Sequence, residues 1–358
     1  MKRFAAAALA ALMAAGLSGC GWQTVDPDEA RESIQVIAMD TVMIFTTYGE
    51  KSTHADYLSE DEVRRLESLL SRTDSESVVS QLNNAGGLGI SVGEEVGGLL
   101  AAAEEYSLAT GGAFDITIAP VVSAWGFTEE ENRVPSQEEL DGLLALVGPE
   151  HVTLDADAAA LTPGTQIDLG GIAKGYASDR VAEILKENNI PRATISLGGN
   201  VLAWGDRPDG TPWRVGIQDP QNADRADAYA GMLKLENAFA VTSGGYQRFF
   251  EADGRTYHHI IDPATGYPAD SGLTSVTVVA DCDWDEVDGR PGVGTMCDAL
   301  STALFVMGEE KALDFWRSGV YDFDLVLVTE DGRVVVTDGI ANEFEASEES
   351  GYSYEVVS

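Results

Sequence analysis

Positive charge is what this chain has least of: 22 Lys and Arg stand against 60 Asp and Glu, a formal net charge of −38. So anionic a molecule repels a phosphate backbone, which excludes nucleic acid as a partner. Cysteine is scarce too, with three residues. Of these, Cys20 follows an N-terminal leader, and the two others, Cys282 and Cys297, do not by themselves establish a disulfide. Gly-x-Gly-x-x-Gly is missing, so a Rossmann dinucleotide site is not supported, and Gly171-Ile172-Ala173-Lys174-Gly175 lacks the spacing of a P-loop. Internal repeats and long low-complexity runs are absent as well.

What is present is ample for a large core: 358 residues, 44% of them hydrophobic, with 38 glycines, a length that suggests two domains or lobes. Residues 1–19 carry Lys2 and Arg3 and then an Ala/Leu/Met stretch, the layout of a short secretory signal. Leu17-Ser18-Gly19-Cys20 resembles a bacterial lipobox. That resemblance implies a lipidated Cys20, an anchor on the extracytoplasmic face of the cell membrane, and residues 20–33 as a polar tether; the alternative is plain secretory cleavage nearby. Loss of Lys2 and Arg3 from the 22 basic residues leaves 20 against 60 acidic ones, a mature charge of −40. At the far end, 345–358 reads as an acidic tail.

Alternating apolar residues predict a strand pair within 33–48, and helical spacing predicts helices over 59–71, 93–110, 172–188 and 298–307. Strands are expected at 152–154, 165–169, 193–197, 213–218, 231–235, 238–242, 257–261, 273–280, 325–329 and 334–337. Helices scattered among many strands favour an α+β fold over strict βα alternation.

Two remote segments carry the chemistry. In the first, an apolar run ends in Asp168, Gly170-Gly171 permits a tight turn that bares backbone groups, and a helix follows. In the second, Asp298 and Thr302 are four apart on a helix, so a carboxylate and a hydroxyl leave one face. Such hard oxygens suit Mg²⁺, which takes one or two carboxylates and fills its octahedron with water and phosphate oxygens. Singly, each segment has an ordinary reading, Asp298 as a helix cap and the glycine pair as a turn. Together they imply a metal and diphosphate site.

Further segments extend the series: Ala113-Phe114-Asp115, Thr242-Ser243-Gly244, and His258-His259-Ile260-Ile261-Asp262-Pro263-Ala264-Thr265-Gly266. With Asp168-Leu169-Gly170-Gly171-Ile172-Ala173-Lys174-Gly175 and Asp298-Ala299-Leu300-Ser301-Thr302, in this order, the chain resembles the ApbE family, the FAD:protein FMN transferases, from about residue 34 to 344. The resemblance implies an α+β fold with mixed, largely antiparallel sheets and two lobes enclosing a nucleotide cleft. It implies Mg²⁺ as cofactor and FAD as substrate, with FMN moved to a Thr or Ser of an extracytoplasmic protein, a membrane redox subunit by family precedent.

By the same resemblance Asp298, Thr302 and the Gly171 carbonyl hold the metal. Met39, Thr73, Ala113, Phe114, Asp115, Asp168, Lys174 and Ile260 contact the flavin nucleotide. Asp40 stands where the family has glycine after the methionine. His259 is the candidate base for the acceptor hydroxyl, imidazole being the side chain that ordinarily titrates near neutrality. A protein so negative repels FAD unless the site brings its own positive charge, for which Mg²⁺ and Lys174 are the candidates. Two rivals share these residues: a Mg²⁺-dependent FAD diphosphatase using water, and a flavin-binding lipoprotein without turnover.

Overall fold

The computed structural model describes residues 31–358 apart from 128–131, 156, 284–286 and 289. The signal, Cys20 and most of the tether expected from the sequence lie outside the described residues. Among these residues, nine strands form one sheet whose spatial order follows the sequence: β1 (Arg31–Ala38), β2 (Thr41–Tyr48), β3 (Arg192–Leu197), β4 (Asn200–Trp204), β5 (Ala238–Gly244), β6 (Leu273–Asp281), β7 (Asp324–Thr329), β8 (Arg333–Thr337) and β9 (Ser353–Val357). Neighbours are antiparallel except β8 and β9.

Both faces of the central strands of this sheet are covered, while β1 and β2 leave Ile37, Val42 and Ile44 exposed. Side chains alternate across a strand, so in β7 Leu325 and Leu327 enter one core while Val326 and Val328 enter another. The first core lies under five helices: α1 (Ser52–Leu70), α2 (Gly93–Ala109), α3 (Ala173–Glu187), α4 (Val293–Met307) and α5 (Glu309–Arg317). The second lies under a three-stranded sheet of Trp213–Gln218, Tyr229–Leu235 and Phe344–Ala346. A satellite core of Val121, Trp125, Leu140 and Ile261 seats a two-stranded ribbon, Phe249–Ala252 with Arg255–His258, through Phe250 and Tyr257. Trp125, Trp204 and Trp213 are all buried, each indole N–H donating to a carbonyl.

Several expectations are corrected. Residues 165–169 are extended but not a strand: Asn83 clasps both the N–H and the C=O of Ile167, and the Asp168 amide donates to Ile116 O. Side-chain partners there replace a ladder. The 345–358 segment is not a tail, because β9 pairs with β8 along its length and closes the sheet edge. Helix α4 starts five residues before Asp298, so that carboxylate sits in the second turn and does not cap its own helix. Cys282 and Cys297 are buried free thiols. No described helix is long and apolar enough to cross a membrane.

Candidate functional site

The site exists because α3 and α4 cross almost in backbone contact. A Cβ on Gly175 would meet Gly294 O at 2.3 Å and Asp298 Cβ at 2.6 Å, and one on Gly294 would meet Asp179 Oδ1 and Gly175 O at 2.8 Å. Real Cβ atoms do not approach so closely, so glycine on both helices sets the spacing. The amide of Gly175, one of the unpaired donors at the start of α3, donates to Asp298 Oδ2 at 2.8 Å. Asp298 Oδ1 faces Lys174 Nζ at 3.6 Å, and that ammonium also donates to Gly170 O at 3.3 Å. The two segments singled out in the sequence thus meet.

Hydroxyls complete the junction. Ser243, at the end of β5, lies 2.8 Å from Ser301 Oγ and 3.3 Å from Thr302 Oγ1. Beside them is the Gly170-Gly171 turn: a Cβ on Gly171 would lie 3.6 Å from Thr302 Oγ1 and 3.2 Å from the Phe114 ring. The first bond of α3 runs from Tyr176 N to Ile172 O, which leaves the Gly171 carbonyl ahead of the helical ladder. Among the described residues no three His, Cys, Asp or Glu side chains gather to hold an ion. A one-carboxylate set of Asp298, Thr302 Oγ1 and a backbone carbonyl still fits Mg²⁺, which leaves most of its positions to water and phosphate.

The other predicted residues surround this junction in different ways. Asp168 accepts from Gly170 N at 2.8 Å and pairs with Arg72 Nε at 3.2 Å, holding the glycine turn. Thr73 is exposed with its hydroxyl on Ser71, and it is the neighbouring Arg72 that reaches Asp168. Phe114 is buried against Gly171. Asp115 turns inward, accepting from Thr117 N–H and O–H and from Ser107, and burial raises its pKa. Ala113 lines an open cavity of about 510 Å³ with Asp262, Val306 and Lys311, one helical turn beyond Thr302. Met39 and Asp40 form the two-residue β1–β2 turn, both left-handed at φ 48° and 58°. Asp tolerates that region better than most residues, so the turn survives the loss of the family's glycine. Its Asp40 carbonyl accepts from Arg248 at 3.4 Å.

The two adjacent histidines are not equivalent. His258, ending its strand, accepts from Ile260 N–H at Nδ1 and donates from Nε2 to Ala269 O, so both ring nitrogens are engaged. His259 lies just past the strand and donates from Nδ1 to Arg248 O at 3.2 Å, which leaves the Nε2 lone pair for a proton. Desolvation pushes its pKa down to about 4, with the charges of Arg248 and Lys174 acting the same way. Ile260 is buried beside it.

The sequence profile of the ApbE family matches residues 39–325. The chain belongs to the ApbE family. The FAD:protein FMN transferase of Klebsiella pneumoniae (strain 342) is 36% identical over 279 residues, 77% of this chain and 82% of that protein. That of Haemophilus influenzae is 30% identical, covering 93% and 96%. The ApbE protein of Thermotoga maritima superposes with a TM-score of 0.75 at 35% identity over 89% of this chain and 97% of its own. For the apo flavinyl transferase ApbE of Pseudomonas stutzeri the values are 0.76, 30%, 89% and 98%. The mixed, largely antiparallel fold of this ApbE member is that of its relatives.

The sequence carries Ser301 inside the Asp298–Thr302 segment without marking a role for it, and Asn83, Arg72, Asp179 and Arg248 lie outside every segment read for function. Their partners lie far along the chain, and no local pattern marks them. Asp179 alone left a trace: a carboxylate on the buried face of α3, four residues after Gly175.

Proposed function

We propose that this chain is a Mg²⁺-dependent FAD:protein FMN transferase, held at the extracytoplasmic face of the membrane through Cys20. Its acceptor is a Thr or Ser hydroxyl of another extracytoplasmic protein, a membrane redox subunit by family precedent. The observation that carries the reading is the junction of Lys174 and Gly175 with Asp298, at 3.6 Å and 2.8 Å across two remote segments, in a family whose relatives are FAD:protein FMN transferases.

The chemistry is a displacement at phosphorus. The acceptor oxygen bonds to the FMN-side phosphorus of the diphosphate, the bond from that phosphorus to the bridging oxygen breaks, and AMP leaves with the electron pair. His259 Nε2 takes the hydroxyl proton, since the ring is neutral at physiological pH and its Nδ1 is fixed on Arg248 O. Lys174 sets a positive charge against the diphosphate, where the rest of the molecule is anionic. Asp298, Thr302 and the Gly171 carbonyl would hold Mg²⁺, which when bound would supply Lewis acidity at the diphosphate. Phe114 and the Met39–Asp40 turn line the nucleotide's path.

The test is incubation with FAD, Mg²⁺ and a candidate acceptor domain, following AMP and covalent flavin fluorescence. AMP with labelled acceptor supports transfer, AMP with free FMN marks a diphosphatase, and neither marks a binding lipoprotein. Asp298→Ala is expected to abolish AMP release, and EDTA to do the same to the parent chain. Full turnover in the variant would overturn the metal assignment.

A further inference from the structure

We infer that Asp179, outside every segment assigned to the site, is the positioning residue for the metal ligands on α4; the inference rests on the metal reading above. Helix α4 has Gly292 at its cap and so no side chain of its own to meet its first amides. Asp179, reaching over from α3, takes that place. Its Oδ1 accepts from Gly294 N at 2.8 Å, and its Oδ2 accepts from Gly292 N at 2.9 Å, Thr295 N at 2.9 Å and Thr295 Oγ1 at 2.5 Å. Four donors on one buried carboxylate fix both the rotation and the rise of the first turn of α4 relative to α3.

That first turn ends three residues before Asp298. Gly175 and Asp179 are one turn apart on the same face of α3, and they hold α4 at two points: the Gly175 amide on Asp298 Oδ2, and Asp179 on the α4 start. With Oδ2 engaged, the remaining oxygen, Oδ1, is the one that faces Lys174 and would be left for an ion. Two rivets on one helix face are what a one-carboxylate site requires, because no second carboxylate can compensate for a rotated Asp298. The negative charge of Asp179 also opposes the positive end of the α4 dipole, which would otherwise work against a cation bound near its first turns.

A neutral, isosteric Asp179→Asn keeps the volume, loses the charge, and turns an NH₂ group against amide donors. Removal of an outer-shell partner typically costs 10- to 100-fold in metal affinity. In the full chain with ADP supplying the diphosphate, Mn²⁺ binding followed by electron paramagnetic resonance is expected to weaken by about 10- to 100-fold in Asp179→Asn. Excess Mg²⁺ is expected to restore FAD turnover. Val334→Ala, in the core on the opposite face of the sheet, serves as a control for general destabilisation and should leave Mn²⁺ affinity unchanged. Wild-type affinity in Asp179→Asn, or an equal loss in Val334→Ala, overturns the positioning role alone. Absence of Mn²⁺ binding in the parent chain overturns the metal reading and this inference with it.

Discussion

At the residue scale the site separates groups by what they already bond. His258 has no ring nitrogen to spare, whereas His259 keeps Nε2, so of the pair only His259 is free for the base role proposed above. His259→Ala is expected to lower kcat for FMN transfer by about 10²- to 10⁴-fold, the range general-base catalysis supplies, with KM for FAD little changed. The corresponding loss for His258 would come with a lower melting temperature. Because the His259 pKa is pushed down to about 4, the base form persists above that value. Transfer rate against pH should therefore be flat through neutrality and fall only as the medium is acidified toward pH 4. A rate that stays flat to well below pH 4 would mean that His259 is not the titrating base. Nothing in the sequence distinguishes two adjacent histidines in this way, since it takes the positions of Ala269 and Arg248 to do so.

At the scale of elements, the decisive contact is between two helices. Glycine at positions 175 and 294 lets α3 and α4 approach until an amide of one reaches a carboxylate of the other. Gly175→Ala places a methyl 2.3 Å from Gly294 O, and because that atom is backbone the helices must part. Overpacking of this kind costs about 1–3 kcal/mol, to be read from urea unfolding. AMP release should fall much further than stability, because separation breaks the Gly175 to Asp298 bond. A variant with normal turnover would show that the close crossing is not what builds the site. The helix spacing of Asp298 and Thr302 was legible from the sequence. The start of α4 at Val293 was not, because its cap comes from Asp179 on another helix and leaves no local signature.

At the scale of the whole molecule, the large sheet has its central strands buried on both faces and its last strand comes from a segment whose acidity reads as a tail. Tyr352 and Tyr354 in and beside β9 donate to Asp219 and to Ala230 O, and both rings pack into the second core. Ending the chain after Ala346 is expected to cost at least about 2 kcal/mol, the range for one or two buried large side chains, measured as a lower denaturation midpoint. KM for FAD should hold at low temperature, as β9 lies at the far edge of the sheet from the β1–β2 turn. An unchanged midpoint would return this segment to the status of an appendage.

What the sequence by itself determined was local and compositional. Strong net negative charge argues against nucleic acid as a partner, periodicity of two or of 3.6 marks most strands and helices, and a carboxylate four residues before a hydroxyl on a helix presents both from one face. The tertiary structure alone decided that residues 171–175 and 298–302 face one another, which histidine is free, and which distant side chains clamp the turn and the helix that carry the site. The reason is physical: propensity and patterning act over a few residues, whereas those contacts depend on how close two backbones can come, and that is settled only when both glycine faces are packed together in one core.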